Sequence, residues 1–295
     1  MEQLEVSNAM RRGRWGQERR LEFIDSRLYW EGRLNRSGLT EFFGISVPQA
    51  SLDLTEYQKL APGNVIYDRT EKAYVATSNF KPILVDESSG RYLAELYALT
   101  TKTIPADISF LGSIPPSDVV KHPSRQVEAS LLRSVLHSIR ARASLEISYQ
   151  TMTRPAPDRR IISPHALAYD GFRWHIRAFC HMRNDFRDFV FARVLHHEPQ
   201  VAPFPPPLQD EEWERMLDIV IGPHPSLNEA RRRAIALDYG MINDRLSIST
   251  RQSLTYYLLK RLGLDKPIDQ TSEHEQHIVL LNREDLALYL PQLQP

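Results

Sequence analysis

The chain carries 20 prolines among its 295 residues, and their clusters limit what it can fold into. Proline fixes φ and lacks an N–H, so neither a helix nor a central strand runs through Pro115-Pro116 or Pro205-Pro206-Pro207. Pro105 and Pro123 extend the first break, and Pro199 and Pro203 the second; both read as stiff joints. The expected division is 1–95, a linker over 96–120, 121–200 and 201–295, each folded part large enough to bury a core. No repeat at a solenoid period is visible.

Composition narrows the class. With 42% hydrophobic and 25% charged residues the chain reads as a soluble globular protein. It lacks a run of 18 apolar residues, and the opening Met1-Glu2-Gln3-Leu4-Glu5 has no signal-peptide character. The single cysteine, Cys180, excludes an intrachain disulfide and any zinc site needing two thiolates from one chain. The expectation is a cytoplasmic protein with no membrane partner.

A formal charge of zero, from 37 basic and 37 acidic residues, conceals a gradient. Residues 121–197 hold 13 basic against 6 acidic residues, and all but one of the 13 are arginine, whereas residues 198–295 hold 10 against 15. Arginine meets phosphate or carboxylate bidentately, so the middle block points to an anion.

The first block reads as three helices and a hairpin. Leu21, Ile24 and Leu28 recur at helical spacing within residues 17–30. Asn35 opens a second helix that stops at Gly44. Ser46-Val47-Pro48-Gln49 has the spacing of a capping box for a third, whose buried side is expected to hold Leu52, Leu54, Tyr57 and Leu60. Val65-Ile66-Tyr67 and Ala73-Tyr74-Val75 then flank a polar tip. Two helices around a tight turn, followed by a hairpin, is the layout of a winged helix-turn-helix.

In that layout the third helix enters the major groove and its N-terminal side chains meet base edges. Gln49 and Ser51, then Thr55 and Lys59, are the expected contacts, with Arg69 and Lys72 on the wing and Arg36 nearby. The bland alternative is a three-helix domain in which Ser46 and Gln49 only cap their helix. The block is nearly neutral, although residues 11–36 hold eight arginines against four acids. Adequate affinity for duplex DNA therefore calls for two copies, a homodimer on an inverted repeat.

The second block changes period. A helix over residues 125–141 precedes a strand with Leu145, Ile147 and Tyr149 on one side. Asp170-Gly171 marks a two-residue hairpin turn, after which Arg173, His175 and Arg177 share one strand face. Short antiparallel strands of this kind suggest a small, strongly bent sheet or open barrel.

The run Gly171-Phe172-Arg173-Trp174-His175-Ile176-Arg177-Ala178-Phe179, with Arg187-Asp188-Phe189 and Arg193, resembles the core of a WYL domain, an SH3- or Sm-like β-fold. The Trp-Tyr-Leu signature reads Trp174-His175-Ile176 here, a departure shared by WYL regulators associated with bacterial anti-phage defence loci. Residues 20–30, 35–54 and Ala61-Pro62-Gly63-Asn64 resemble that subgroup's winged helix. The resemblance implies an α+β multidomain fold: winged helix-turn-helix, WYL barrel and a small α/β C-terminal dimerisation domain. It further implies a homodimeric regulator, usually a repressor, of a phage-defence operon, with a nucleotide or oligonucleotide effector. The family's ligand-facing positions fall on Tyr149, Ser163, His165, His175, Arg177 and Arg187. The alternative for these arginines is pairing with Glu146, Asp170, Asp185 and Asp188 on a solvated sheet.

In the last block, residues 230–239 are expected as a strand, 252–262 as an amphipathic helix, 278–281 as a strand and 285–290 as a short helix. An enzyme is disfavoured. The ten histidines lack two-His-plus-Glu zinc spacing, Ser163 and His165 lack a nucleophile elbow, and no phosphate-binding Gly-Lys loop is present. No catalytic residue, metal or cofactor is expected. Two other readings are a stand-alone RNA or single-strand-binding module, marked by tight single-strand binding without duplex binding, and a nucleic-acid-processing enzyme, marked by metal-dependent turnover.

Overall fold

The computed structural model describes residues 2–123, 125–200, 209–270 and 272–293; the expected joint at Pro203 and Pro205-Pro206-Pro207 lies outside them. The chain forms two compact units, Met1–Lys121 and His122–Pro295.

In the first unit, α1 (Glu2–Glu31) begins well before the periodic stretch that predicts it, then β1 (Arg33–Leu34) leads to α2 (Arg36–Phe43) and α3 (Val47–Leu60). The Asn35 side chain accepts from the Gly38 N–H at 2.8 Å, and Gly44 ends α2 at φ 62°, a left-handed conformation that glycine adopts without strain. Ser46 caps α3 by accepting from the Gln49 N–H at 3.4 Å. The reciprocal half of the expected box is absent, because the Gln49 amide instead donates to Asp53 at 3.1 Å.

Ala50, Leu54 and Tyr57 pack on Phe23, Ile24, Leu28 and Leu39. Leu52 and Leu60 do not join them, contrary to expectation: they are 64% and 50% exposed. At 100° per residue Leu52 stands about 200° from Leu54, so one helix face cannot hold both.

Strands β2 (Val65–Asp68) and β3 (Ala73–Ala76) form the hairpin, and β1 joins it in the order β1-β3-β2. The Asp68 carboxylate accepts from the N–H groups of Thr70 and Glu71 and shapes the tip. Beyond it, Asp25 on α1 accepts from three successive N–H groups, of Ile83, Leu84 and Val85, and from the Tyr57 hydroxyl. A fourth helix, α4 (Ser89–Thr100), went unread in the sequence although Ser88 caps it. The stretch 96–120 lies within this unit: Phe110 packs among Phe23, Phe42 and Phe43, and Gly112 N–H donates to Glu31.

The second unit opens with α5 (Ala129–Ala141), which covers a five-stranded antiparallel sheet. Its strands are β4 (Ser144–Tyr149), β5 (Asp158–Tyr169), β6 (Trp174–Cys180), β7 (Asp185–Val190) and β8 (Val194–Gln200), in the order β7-β6-β5-β4-β8. Asp170 and Gly171 lie in the turn joining β5 to β6, and a register shift between Pro164 and Ala166 leaves His165 outside the pairing.

A short helix, α6 (Glu211–Glu214), leads into β9 (Met216–Pro223), α7 (Glu229–Asp238), β10 (Leu246–Arg251), α8 (Gln252–Arg261), β11 (Ile278–Leu280) and α9 (Arg283–Ala287). Its sheet runs β10-β9-β11. Residues 230–239 are thus helical rather than the expected strand. Asn228 caps α7 by accepting from the Arg231 N–H at 3.0 Å, and its Ala, Arg and Leu residues favour helix. The molecule is an α+β assembly of a winged helix, a five-stranded antiparallel sheet and a small α/β domain.

Candidate nucleic-acid interface and anion site

Helix α3 turns its inner face to the core through Ala50, Asp53, Leu54 and Tyr57. Thr55 and Lys59 are exposed on the other side, with Val47 and Leu52 beside them, and Ser51 is half-buried. Ser51 and Thr55 hydroxyls donate back to the carbonyls of Val47 and Ser51, which leaves their lone pairs outward. Lys59 pairs with Glu56 at 3.3 Å. Gln49 is half-buried and oriented by Asp53, whose fully buried carboxylate is held by Arg20 at 2.6 and 3.2 Å. Neither Arg20 nor Asp53 was singled out from the sequence; their separation by 33 positions hides the pairing.

Arg69 and Lys72 are exposed at the hairpin tip and have no ion pair among the described residues. Arg36 stands over the rings of Tyr67 and Tyr74 at 5.6 and 5.8 Å, with its charge open to solvent. The unit thus presents an exposed helix face of mixed polar and apolar side chains and a cationic hairpin tip.

The middle sheet treats its six candidate positions differently. Tyr149 is buried in the core, its ring edge-on to Phe189 and its hydroxyl accepting from the Val190 N–H at 3.1 Å. Ser163 is buried and bonded to Ser144 and His181, both at 2.8 Å. His175, 1% exposed, bonds Asp170 at 2.9 Å and lies against the Tyr257 ring. Arg187 is exposed and pairs with Asp185 at 3.4 Å. Register pairs Arg187 with Ala178 and Arg177 with Asp188, which places Arg187 on the opposite sheet face from Arg177.

Arg177 and His165 converge on one carboxylate. Asp210, just before α6, accepts from Arg177 Nε at 2.6 Å and Nη2 at 2.9 Å, and bonds His165 at 2.9 Å. Arg177 also meets Glu212 at 2.9 Å and Asp188 at 3.4 Å. Burial works against the charge on both Arg177 and Asp210, but their mutual hydrogen bonds outweigh it. The guanidinium is held above its usual range and the carboxyl well below the carboxylate range.

Part of the block's arginine is met by neighbours: Arg159 by Glu146, Arg173 by Asp170, Arg187 by Asp185, and Arg177 by acids from the next domain, whereas Arg125, Arg133, Arg140, Arg142, Arg183 and Arg193 have no ion pair among the described residues. Asp210 and Glu212 were missed in the sequence, where the only signal was an aspartate in N-cap position after a proline run. Among the described residues no group of His, Cys, Asp and Glu is arranged to hold a metal, and no helix is long and apolar enough to cross a membrane.

Comparison with known families matches residues 16–98 to the BrxR transcriptional regulator winged helix-turn-helix domain. Residues 130–199 match the WYL domain, and 216–286 the BrxR transcriptional regulator C-terminal dimerization domain. The DNA-binding transcriptional repressor CapW of Stenotrophomonas maltophilia is 43% identical over 279 residues, covering 94% of this chain and 93% of that protein. CapW of Pseudomonas aeruginosa is 40% identical over 283 residues, covering 95% and 94%. CapW of Escherichia coli is 39% identical over 279 residues, covering 95% and 93%. A solved structure, proteasome accessory factor B/C of Arthrobacter aurescens, matches at 16% identity with a TM-score of 0.27. It covers 88% of this chain and 45% of that one, a likeness too slight to bear on the fold.

Proposed function

The chain belongs to the CapW family of DNA-binding transcriptional repressors, and on that premise we propose how its parts divide the work. Residues 1–95 bind duplex DNA, 121–200 sense an effector and 201–295 pair two copies into a homodimer on an inverted repeat. Half-sites lie about one helical turn apart, 10–10.5 base pairs, or a multiple of it. Gln49, Ser51 and Thr55 read bases, while Lys59, Arg69, Lys72 and Arg36 contact phosphate. The observation that carries this reading is the exposed polar face of α3 together with the unpaired cations of the hairpin tip.

The effector is a nucleotide or oligonucleotide, and the regulated genes are a phage-defence operon in the cytoplasm. No catalytic activity is assigned. Effector binding is proposed at Tyr149, Ser163, His165, His175, Arg177 and Arg187, with a phosphate taking the place of the Asp210 carboxylate at His165 and Arg177 and the rest of the ligand reaching Arg187 on the other face around the β7 edge of the sheet. What supports this is that His165 and Arg177 already converge on one anionic group. Because that group leads directly into the C-terminal domain, its displacement shifts the dimer arrangement. By linkage, effector and DNA then change each other's affinity by one factor. Release of DNA on effector binding is the expected sense.

A footprint of the purified protein on its own upstream region, with and without short oligonucleotides, tests both halves. Protection of an inverted repeat that weakens with oligonucleotide is expected. Single-strand binding with no duplex footprint would replace this reading by the single-strand module.

A further inference from the structure

We propose a second ligand site, for a nucleoside monophosphate, in the cleft between the β5–β6 turn and helix α8. This goes beyond the effector reading above and uses different residues. The cleft encloses about 420 Å³ and is lined by four cations, Arg125, Arg173, Lys260 and Arg261, with the rings of Phe172 and Tyr256. That volume falls within the roughly 300–1,000 Å³ of small-molecule sites.

The charges do not cancel. Asp170 is the one acid in the lining, and its carboxylate is taken up by His175, by Arg173 Nε at 3.1 Å and by the N–H groups of Phe172 and Arg173, both at 2.8 Å. Arg125, Lys260 and Arg261 have no hydrogen bond or ion pair among the described residues. Three unpaired cations around one cleft suit a phosphate dianion.

A helix C-terminus attracts cations, which by itself accounts for Lys260 and Arg261 in the last turn of α8. It does not account for what they lie against. Arg261 stands 5.8 Å from the centre of the Phe172 ring, and Lys260 Nζ 5.8 Å from that of Tyr256. Arg261 also rests on Gly171, where a Cβ would come within 2.2 Å of its guanidinium. Phe172 stays 49% exposed at the cleft. Cations beside open aromatic faces provide phosphate contact and a stacking surface together, which a free phosphate would use only in half.

The cleft also adjoins the buried network. Tyr257 in its wall lies with its ring 5.0 Å from that of His175, and its hydroxyl donates to Asp188, which contacts Arg177.

Calorimetric titration of the full-length protein with adenosine 5′-monophosphate tests the site. Saturable binding is expected. The exposed double variant Lys260→Ala/Arg261→Ala, and separately Phe172→Ala, should each weaken it about ten-fold or more, with unchanged circular dichroism. Inorganic phosphate should bind about ten-fold more weakly than the nucleotide. Arg183→Ala, exposed and outside both the cleft and the effector positions, should leave nucleotide affinity unchanged. Absence of binding at millimolar nucleotide, equal affinity in the double variant, or parity with inorganic phosphate overturns the proposal. Loss with Arg187→Ala also overturns it and moves the nucleotide to the effector positions. The footprint on duplex DNA stands or falls separately.

Discussion

Asp210 accepts two hydrogen bonds from the guanidinium of Arg177, 33 positions earlier in the chain, at 2.6 and 2.9 Å. The pair is buried, with side chains 5% and 4% exposed, and it joins the middle sheet to the start of the C-terminal domain. A buried guanidinium that loses its main partner keeps its desolvation penalty, so the pair matters most when half of it is removed.

Asp210→Ala should therefore destabilise the second unit by about 3 kcal/mol, the lower end of the range for a broken buried pair, because Asp188 and Glu212 remain. Asp210→Asn should lose less, since its side chain can still cap α6 by accepting from the Trp213 N–H. Urea unfolding of the three proteins measures the order. Equal stability of all three would mean that the pair contributes nothing net.

Acid should weaken the same unit. Burial pushes the Asp170 carboxyl up, but hydrogen bonds from His175 and the N–H groups of Phe172 and Arg173 outweigh this and hold it at about 2 instead of 3.8. A carboxyl lowered on folding stabilises above its unfolded value and loses that contribution as pH falls through the folded one. About 2 kcal/mol should thus disappear between about pH 4 and pH 2. Asp170→Asn should flatten this part of the stability curve; an unaltered slope would count against the assignment.

On DNA, Gln49→Ala should cost about 1–3 kcal/mol on the specific site and relax preference at one base position. Arg69→Ala and Lys72→Ala should weaken all sequences alike and reduce the salt slope by about one each. Competition gel shifts across a salt series separate the two behaviours. Uniform losses for all three variants would refute the division between helix and wing.

Arg20→Met tests the support beneath Gln49. With the buried Asp53 carboxylate unpaired, about 3 kcal/mol of stability should go, and the carboxylate that orients Gln49 loses the group that holds it. Thermal unfolding and operator affinity should fall together. Unchanged unfolding with lost DNA binding would instead place Arg20 in contact with the phosphate backbone.

For effector response, Arg187→Ala is a cleaner probe than Arg177→Ala, because Arg177 is tied into three carboxylates whereas Arg187 is exposed. Operator binding without effector should stay intact while release by oligonucleotide weakens. Lost operator binding in the absence of effector would move Arg187 to the DNA side or to the fold.

The winged helix was legible because its signals are local: Asn35, Gly44 and Ser46 act within one turn of their own positions. The alternation that put Arg173, His175 and Arg177 on one face was legible for the same reason. Alternation did not show what lies over that face, and there Asp210 arrives from beyond the proline run while Tyr257 arrives from α8. Helix α7 was missed because its three consecutive arginines mask the apolar period, leaving only Asn228 as a cap signal. Leu52 and Leu60 were assigned inward by residue type, when their angular position on α3 points them outward.

Most of the tethers on the stretch downstream of Lys81 end on α1: Asp25 holds the N–H groups of residues 83–85, Trp30 packs on Tyr92, Phe23 on Phe110 beside Phe42 and Phe43 of α2, and Glu31 holds Gly112. A mechanical pull arriving from the downstream chain is therefore taken up by α1, through contacts that must yield one after another, before it reaches α3 or the hairpin. In a single-molecule tether this stretch acts as a graded fuse. It should peel away from its far end in small steps, while α3 stays folded until Asp25 lets go.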